Sequence, residues 1–209
     1  MLRYLKAVPT GKEDDAELPL VIVMHGRGAD ANDLADIAPY LDNGYRFLFP
    51  NAPKPFEAYP GMSFGFTWFD GWPAEPASFR ESRQLVLQFL DQALEQYPTP
   101  PGKVILCGFS QGGMMALDTG FRTEKPLAGI VCMSGALNEE ELPPFKSTIP
   151  VLMVHGTEDD VIPLLEARRA RAVLEEHGID TDYREFPMGH HVTEESLAAV
   201  RDFMAARLL

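Results

Sequence analysis

The sequence predicts an α/β protein with a mostly parallel central sheet and helices on both faces. Short, uninterrupted apolar runs such as Leu20 to Met24 and Val104 to Cys107 have the length and composition of strands buried on both sides, as in a parallel sheet covered by helices. Stretches with apolar residues at helical spacing alternate with these runs along the chain. Gly, Pro and Asp punctuate the joints, and polar residues of chemical interest follow the strands directly, where ligands sit in such sheets.

Taken in order, Leu2 to Val8 alternates apolar and polar residues and suits an edge strand. Pro9-Thr10-Gly11 with the acidic stretch to Glu17 reads as a turn. Leu20 to Met24 is a buried strand, His25 to Asp30 a turn, Ala31 to Leu41 a helix, and Arg46 to Phe49 a short strand. Asn51 to Pro76, rich in Pro, Gly and aromatic residues, reads as a long loop that folds over the groove beside it, because its aromatic side chains are too many to leave in water. Ser78-Phe79-Arg80-Glu81 is a capping-box pattern opening a helix whose apolar residues recur to Tyr97. Strands are expected at Leu127 to Met133, Val151 to Val154 and Tyr183 to Phe186. Helices are expected at Leu164 to Glu176 and Glu194 to Leu209.

With 209 residues and 45% hydrophobic content, the chain is expected to form one domain over 1–209 around one core. A net charge of -13 argues against nucleic acid, whose phosphates need clustered Lys and Arg, and against an anionic membrane surface. Small molecules are the expected partners. No uncharged run approaches the roughly eighteen residues of a membrane span, and the N-terminal residues lack the apolar core of a signal peptide, so the expected location is cytoplasmic, without stable membrane anchoring. The apolar residues of the long loop favour a weak homodimer. Cys107 and Cys132 lie in apolar runs and read as small buried hydrophobes, not as a disulfide.

The chemistry centres on Lys103 to Gly120, KVILCGFSQGGMMALDTG. An apolar run meets Gly108-Phe109-Ser110-Gln111-Gly112 and then a helix-forming stretch, which is the G-x-S-x-G elbow that pushes a serine hydroxyl out of a sheet. Among polar residues that follow later strands are Asp159 and Asp160, then His190 and His191. Serine, acid and histidine in that order, each on its own post-strand loop, match the chain order of an α/β-hydrolase triad. A neutral hydroxyl is a poor nucleophile. A histidine near pKa 6.5 takes its proton at neutral pH, and a carboxylate fixes the tautomer and stabilises the resulting cation. On order alone, either carboxylate and either histidine fits.

His25-Gly26-Arg27-Gly28, Trp68-Phe69-Asp70, Gly108-Phe109-Ser110-Gln111-Gly112-Gly113, His155-Gly156-x-x-Asp159-x-x-Ile162-Pro163 and Met188-Gly189-His190, taken together and in this order, resemble the phospholipase/carboxylesterase family of serine hydrolases. That family includes bacterial carboxylesterases and acyl-protein thioesterases. The resemblance spans nearly the whole chain and implies an α/β-hydrolase fold. It implies Ser110 as nucleophile, Asp159 as acid and His190 as general base, with the backbone N–H groups of Gln111 and Arg27 as oxyanion donors. It further implies that Trp68 touches the acyl group, and that neither metal nor organic cofactor is needed. Two positions depart from the family pattern: Asp160 stands where proline is frequent, and Arg27 where an apolar residue is frequent.

The expected function is hydrolysis of short- to medium-chain acyl esters, with thioesters and lysophospholipids as further candidate substrates. Two other classes fit the residues less well. A binding protein that keeps the fold without the chemistry has little reason to retain three reactive residues on the three matching loops. A metal-dependent hydrolase built on His25, His155, His190 and the Asp159-Asp160 pair lacks any tight ligand spacing.

Overall fold

The computed structural model describes residues 1–9, 13–15, 17–41, 44–59, 61–145 and 148–209. The turn expected at Thr10 and Gly11 lies outside them. Among the described residues seven strands form one sheet: β1 (Tyr4–Ala7), β2 (Leu20–Met24), β3 (Arg46–Pro50), β6 (Val104–Phe109), β7 (Gly129–Met133), β8 (Val151–Gly156) and β9 (Thr181–Phe186). Their spatial order is β1-β3-β2-β6-β7-β8-β9. β1 runs antiparallel to its neighbour, as an edge strand, and the other described strands of this sheet are parallel.

Strand periodicity explains the layers. Leu20, Ile22, Met24, Ile130, Cys132, Val151 and Met153 face one side and pack on α3 (Pro76–Gln96), α4 (Gln111–Gly120) and α5 (Leu164–Glu176). The alternate residues, among them Val21, Val23, Cys107, Val131, Met133 and Val154, face α1 (Ala31–Ala35), α2 (Ala38–Leu41) and α6 (Glu194–Leu208). Cys107 and Cys132 therefore point to opposite faces as free thiols, and burial pushes the Cys132 thiol up to about 12. Among the described residues, no helix is long and apolar enough to cross a membrane.

Three expectations are corrected. The helix expected over Ala31 to Leu41 is broken between α1 and α2. Pro39 has no N–H for a continuing ladder, and its ring would meet the carbonyl four residues back, so it is tolerated only near a helix start. The long helix begins not at Ser78 but at Pro76, with Glu75 as its cap. The Glu75 carboxylate accepts from the Ala77 and Ser78 N–H groups at 3.0 and 2.6 Å. Finally, the segment read as a loop contains a hairpin, β4 (Lys54–Tyr59) and β5 (Met62–Thr67). Its backbone docks on the turn after β2: Gly28 N–H donates to Phe66 O, and Phe66 N–H donates to Ala29 O, each at 2.8 Å. Gly65 allows this approach, for a Cβ there would collide with the carbonyls of Gly28 and Ala29.

Just after the hairpin, Trp68 is fully buried in the core with Phe69 and Phe79. Its Nε1–H donates to His25 O at 2.8 Å, its backbone N–H to Gln111 Oε1 at 3.0 Å, and its carbonyl accepts from the Ser82 hydroxyl. An indole with no exposed surface and its polar atom committed inside the protein is a packing element, so the expected contact of Trp68 with substrate is not what the structure displays. Trp68→Ala is expected to cost about 3–5 kcal/mol, which for a domain of this size lowers Tm by about 10 °C. Thermal melting checks this, and an unchanged Tm would return Trp68 to a surface role.

Candidate active site

Strand β6 ends at Phe109, and α4 begins at Gln111, leaving Ser110 alone to turn the chain. Its φ of 54° and ψ of -121° are strained for any side-chain-bearing residue. The strain is held by bonds on both sides: Ser110 N–H donates to Met133 O at 2.8 Å, and Ser110 O accepts from Met114 N–H at 3.1 Å. The elbow glycines are steric necessities. A Cβ on Gly108 would strike the carbonyl of Gly112, and one on Gly112 would strike the carbonyl of Met24.

The loops after β8 and β9 are fastened to each other. Thr157 N–H donates to Phe186 O at 2.8 Å and Glu158 N–H to Met188 O at 3.1 Å, while Gly156 has no space for a Cβ beside Met188. Asp159 is thereby brought to His190. His190 Nδ1 lies 2.8 Å from Asp159 Oδ2, and His190 Nε2 lies 3.0 Å from Ser110 Oγ. An ionised carboxylate only accepts, so Nδ1 carries the proton and Nε2 accepts from the serine hydroxyl. The other oxygen, Asp159 Oδ1, accepts from Val161 N–H at 3.0 Å and Ile162 N–H at 2.8 Å. Burial pushes the Asp159 carboxyl up, but the bonds from His190, Ile162 and Val161 outweigh it and hold the group below the usual range. Of the sequence alternatives, Asp160 and His191 are both exposed, whereas Asp159 is buried.

Arg27 and Gln111 flank Ser110 on the wall of the same cleft. Among the described residues neither backbone N–H has a protein acceptor. The Gln111 side chain has a separate task that sequence reading missed: Oε1 accepts from Trp68 N–H, and Nε2 donates to Phe69 O at 2.8 Å. It staples the start of α4 to the segment beyond the hairpin. His25 is held from behind. Its Nδ1–H donates to Gly26 O at 2.7 Å, and its Nε2 accepts from Ala52 N–H at 3.0 Å. This pattern requires the neutral ring, and burial lowers the pKa to match. The histidine thus fixes the turn that presents Arg27.

The cleft over Ser110 has a volume of about 440 Å³, within the range typical of small-molecule sites. Phe69, Trp72, Met114, Val161 and Ile162 supply its apolar walls, and Arg27 and Asp33 charged parts of its rim. Trp72, half-exposed on the turn before α3, is the tryptophan that meets solvent here. It lies in the same aromatic segment as Trp68, but both follow the second hairpin strand, where no periodicity tells which ring turns inward. The Arg27 guanidinium lies 5.3 Å from the Phe56 ring centroid and, among the described residues, makes no ion pair.

Comparison with known proteins agrees with this architecture. The model of the phospholipase/carboxylesterase family matches residues 7–208. A probable carboxylesterase of Oryza sativa subsp. japonica is 31% identical over 208 residues, covering 90% of this chain and 88% of the relative. Acyl-protein thioesterase 1 of Neurospora crassa is 30% identical over 212 residues, covering 90% and 86%. Among solved structures, esterase PE8 superposes with a TM-score of 0.84 at 31% identity, covering 99% of this chain and 98% of that one. The Bacillus cereus carboxylesterase, at 19% identity, shares the fold with a TM-score of 0.82 and coverage of 99% and 95%. With its strained serine elbow, its parallel sheet and a family match over nearly its full length, the chain belongs to the phospholipase/carboxylesterase family of α/β-hydrolase-fold proteins.

Proposed function

We propose that the protein, acting as one α/β-hydrolase domain, is a serine carboxylester hydrolase that cleaves short- to medium-chain acyl esters through an acyl-serine intermediate. The observation that carries this reading is the unbroken line of hydrogen bonds from Ser110 Oγ through His190 to Asp159, opening on an apolar cleft. In the forward step Ser110 Oγ attacks the ester carbonyl carbon while His190 Nε2 takes the hydroxyl proton. Asp159 keeps Nδ1 protonated and stabilises the imidazolium. The Gln111 N–H, at the positive end of α4, and the Arg27 N–H receive the developing oxyanion. The leaving alcohol departs with the proton from His190. A water activated by the same histidine then hydrolyses the acyl-serine and restores the enzyme.

The apolar walls suit an acyl chain, and the relatives named as thioesterases make acyl thioesters the second substrate class to assay, beside lysophospholipids. Two free thiols buried on opposite faces of the sheet fit a reducing compartment, and a cytoplasmic site of action belongs to the proposal.

Ser110→Ala is expected to fold normally and to lose about a millionfold in turnover, with loss of labelling by a serine-reactive fluorophosphonate. Folded Ser110→Ala protein with near-normal activity would end the proposal. Asp159→Asn is expected to be far more damaging than Asp160→Asn, and His190→Ala than His191→Ala, because only the inner member of each pair reaches its partner. Reversal in either pair, read from kcat, would reassign that role. Arg27 separates backbone from side chain. Arg27→Leu keeps the N–H and should retain most activity on a neutral ester, whereas losing an oxyanion donor costs about a hundredfold or more. An unpaired guanidinium on the cleft wall should favour carboxylate-bearing esters, so their kcat/KM relative to neutral esters should fall in Arg27→Leu; an unchanged ratio refutes that preference.

A further inference from the structure

Behind the acid lies a second histidine that the proposed chemistry does not use. His155 is buried at the end of β8, and its Nε2 lies 2.8 Å from Ile162 O. A carbonyl only accepts, so this nitrogen carries the hydrogen. The same nitrogen is 3.4 Å from Asp159 Oδ2, the oxygen that receives His190. Asp159 Oδ1 thus accepts from the Val161 and Ile162 N–H groups, while Oδ2 receives His190 Nδ1 and has the His155 ring nitrogen beside it.

With Nε2 protonated in a neutral ring, Nδ1 of His155 must be an acceptor. It is buried without a partner among the described residues, and so is the hydroxyl of Ser134. Buried polar atoms left over in this way call for an explanation. The sheet register supplies one. Met133 pairs with Val154, and Ser134 N–H donates to Val154 O at 2.8 Å. Met153 faces the α3, α4 and α5 layer, so the alternation of β8 carries His155 to that face, and the register sets Ser134, one residue past Met133, next to it. Ser134 also has a left-handed φ of 47°, which an L-serine adopts only when its surroundings enforce it.

We propose that His155 is a positioning residue for Asp159, and that the Ser134 hydroxyl, donating to His155 Nδ1 through one bridging water, fixes the tautomer in which it acts. The proposal rests on the reading of Ser110, His190 and Asp159 given above. In this arrangement Ser134 keeps the His155 hydrogen on Nε2. That N–H holds Ile162 O, and the N–H of the same Ile162 holds Asp159 Oδ1, so the histidine fixes the loop that keeps the carboxylate turned toward His190. The charged or titratable groups facing His155 are Asp159, His190 and Glu185, and burial favours the neutral ring that the arrangement requires.

The test uses the full-length chain with rates normalised to sites titrated by a fluorophosphonate. His155→Phe keeps a ring but removes the donor; kcat per titrated site should fall about tenfold or more while KM stays within about twofold. The acid limb of the kcat profile should move to lower pH, because a misaimed carboxylate stabilises the His190 imidazolium less. Ser134→Ala should shift both in the same direction by less. In wild-type protein with 15N-labelled histidine, NMR should find His155 protonated on Nε2, and in Ser134→Ala a mixture of tautomers. An unchanged kcat per titrated site and acid limb, with only Tm lowered, would show that His155 merely packs. Protonation on Nδ1 in the wild type would overturn the proposal even if His155→Phe did not fold. Failure of the underlying reading looks different: Ser110→Ala would then remain active.

Discussion

Helix α4 enters the sheet at a distance that no side chain would tolerate, because Gly108 and Gly112 place backbone against backbone where β6 and β2 end. Every residue of α4 is buried as a result, and the chain between strand and helix is reduced to a single strained serine. The strain is affordable because the neighbours over-determine it: Met133 holds its N–H, Met114 its carbonyl, and the Gln111 side chain ties the next residue to Trp68 and Phe69. The hydroxyl is exposed to the cleft as a consequence of packing, before any chemistry is considered.

Around that point, the polar groups divide by protonation. His25 and His155 are buried, and each has a carbonyl acceptor that names the protonated nitrogen, so both serve as neutral fixed dipoles. His190 is the one left half-buried, between a carboxylate and a hydroxyl. Asp159 remains ionised at low solvent exposure because backbone N–H groups of its own loop, as well as His190, compensate the charge. Burial alone would have driven the carboxyl the other way.

Much of this was legible in the residues. Continuous apolar runs marked the buried strands, since each has a face on both layers, and the strand-Gly-x-Ser-x-Gly-helix pattern marked the turn. Order along the chain left Asp159 against Asp160, and His190 against His191, unresolved. Neighbouring residues on a loop point in different directions, and the packing of the two loops on each other brings Asp159 and His190 together. The hairpin Lys54–Tyr59 with Met62–Thr67 was missed because its strands carry Pro and Gly and bury little on either face. Trp68, just past the second hairpin strand, is buried because its indole packs and bonds inside the core, which no periodicity in that segment signals.

The walls of the cleft come from pieces of chain that are remote in sequence: Arg27 on one turn, Phe69 to Trp72 beyond the hairpin, and Val161 with Ile162 past the acid. Arg27, Trp72 and Val161 contribute side chains that are absent from the bonds aligning Ser110, His190 and Asp159. Exchanging any of these rim side chains therefore changes the shape and charge of the cleft while leaving that alignment in place. The central helix, by contrast, has no exposed position at which a side chain could be exchanged without disturbing the packing.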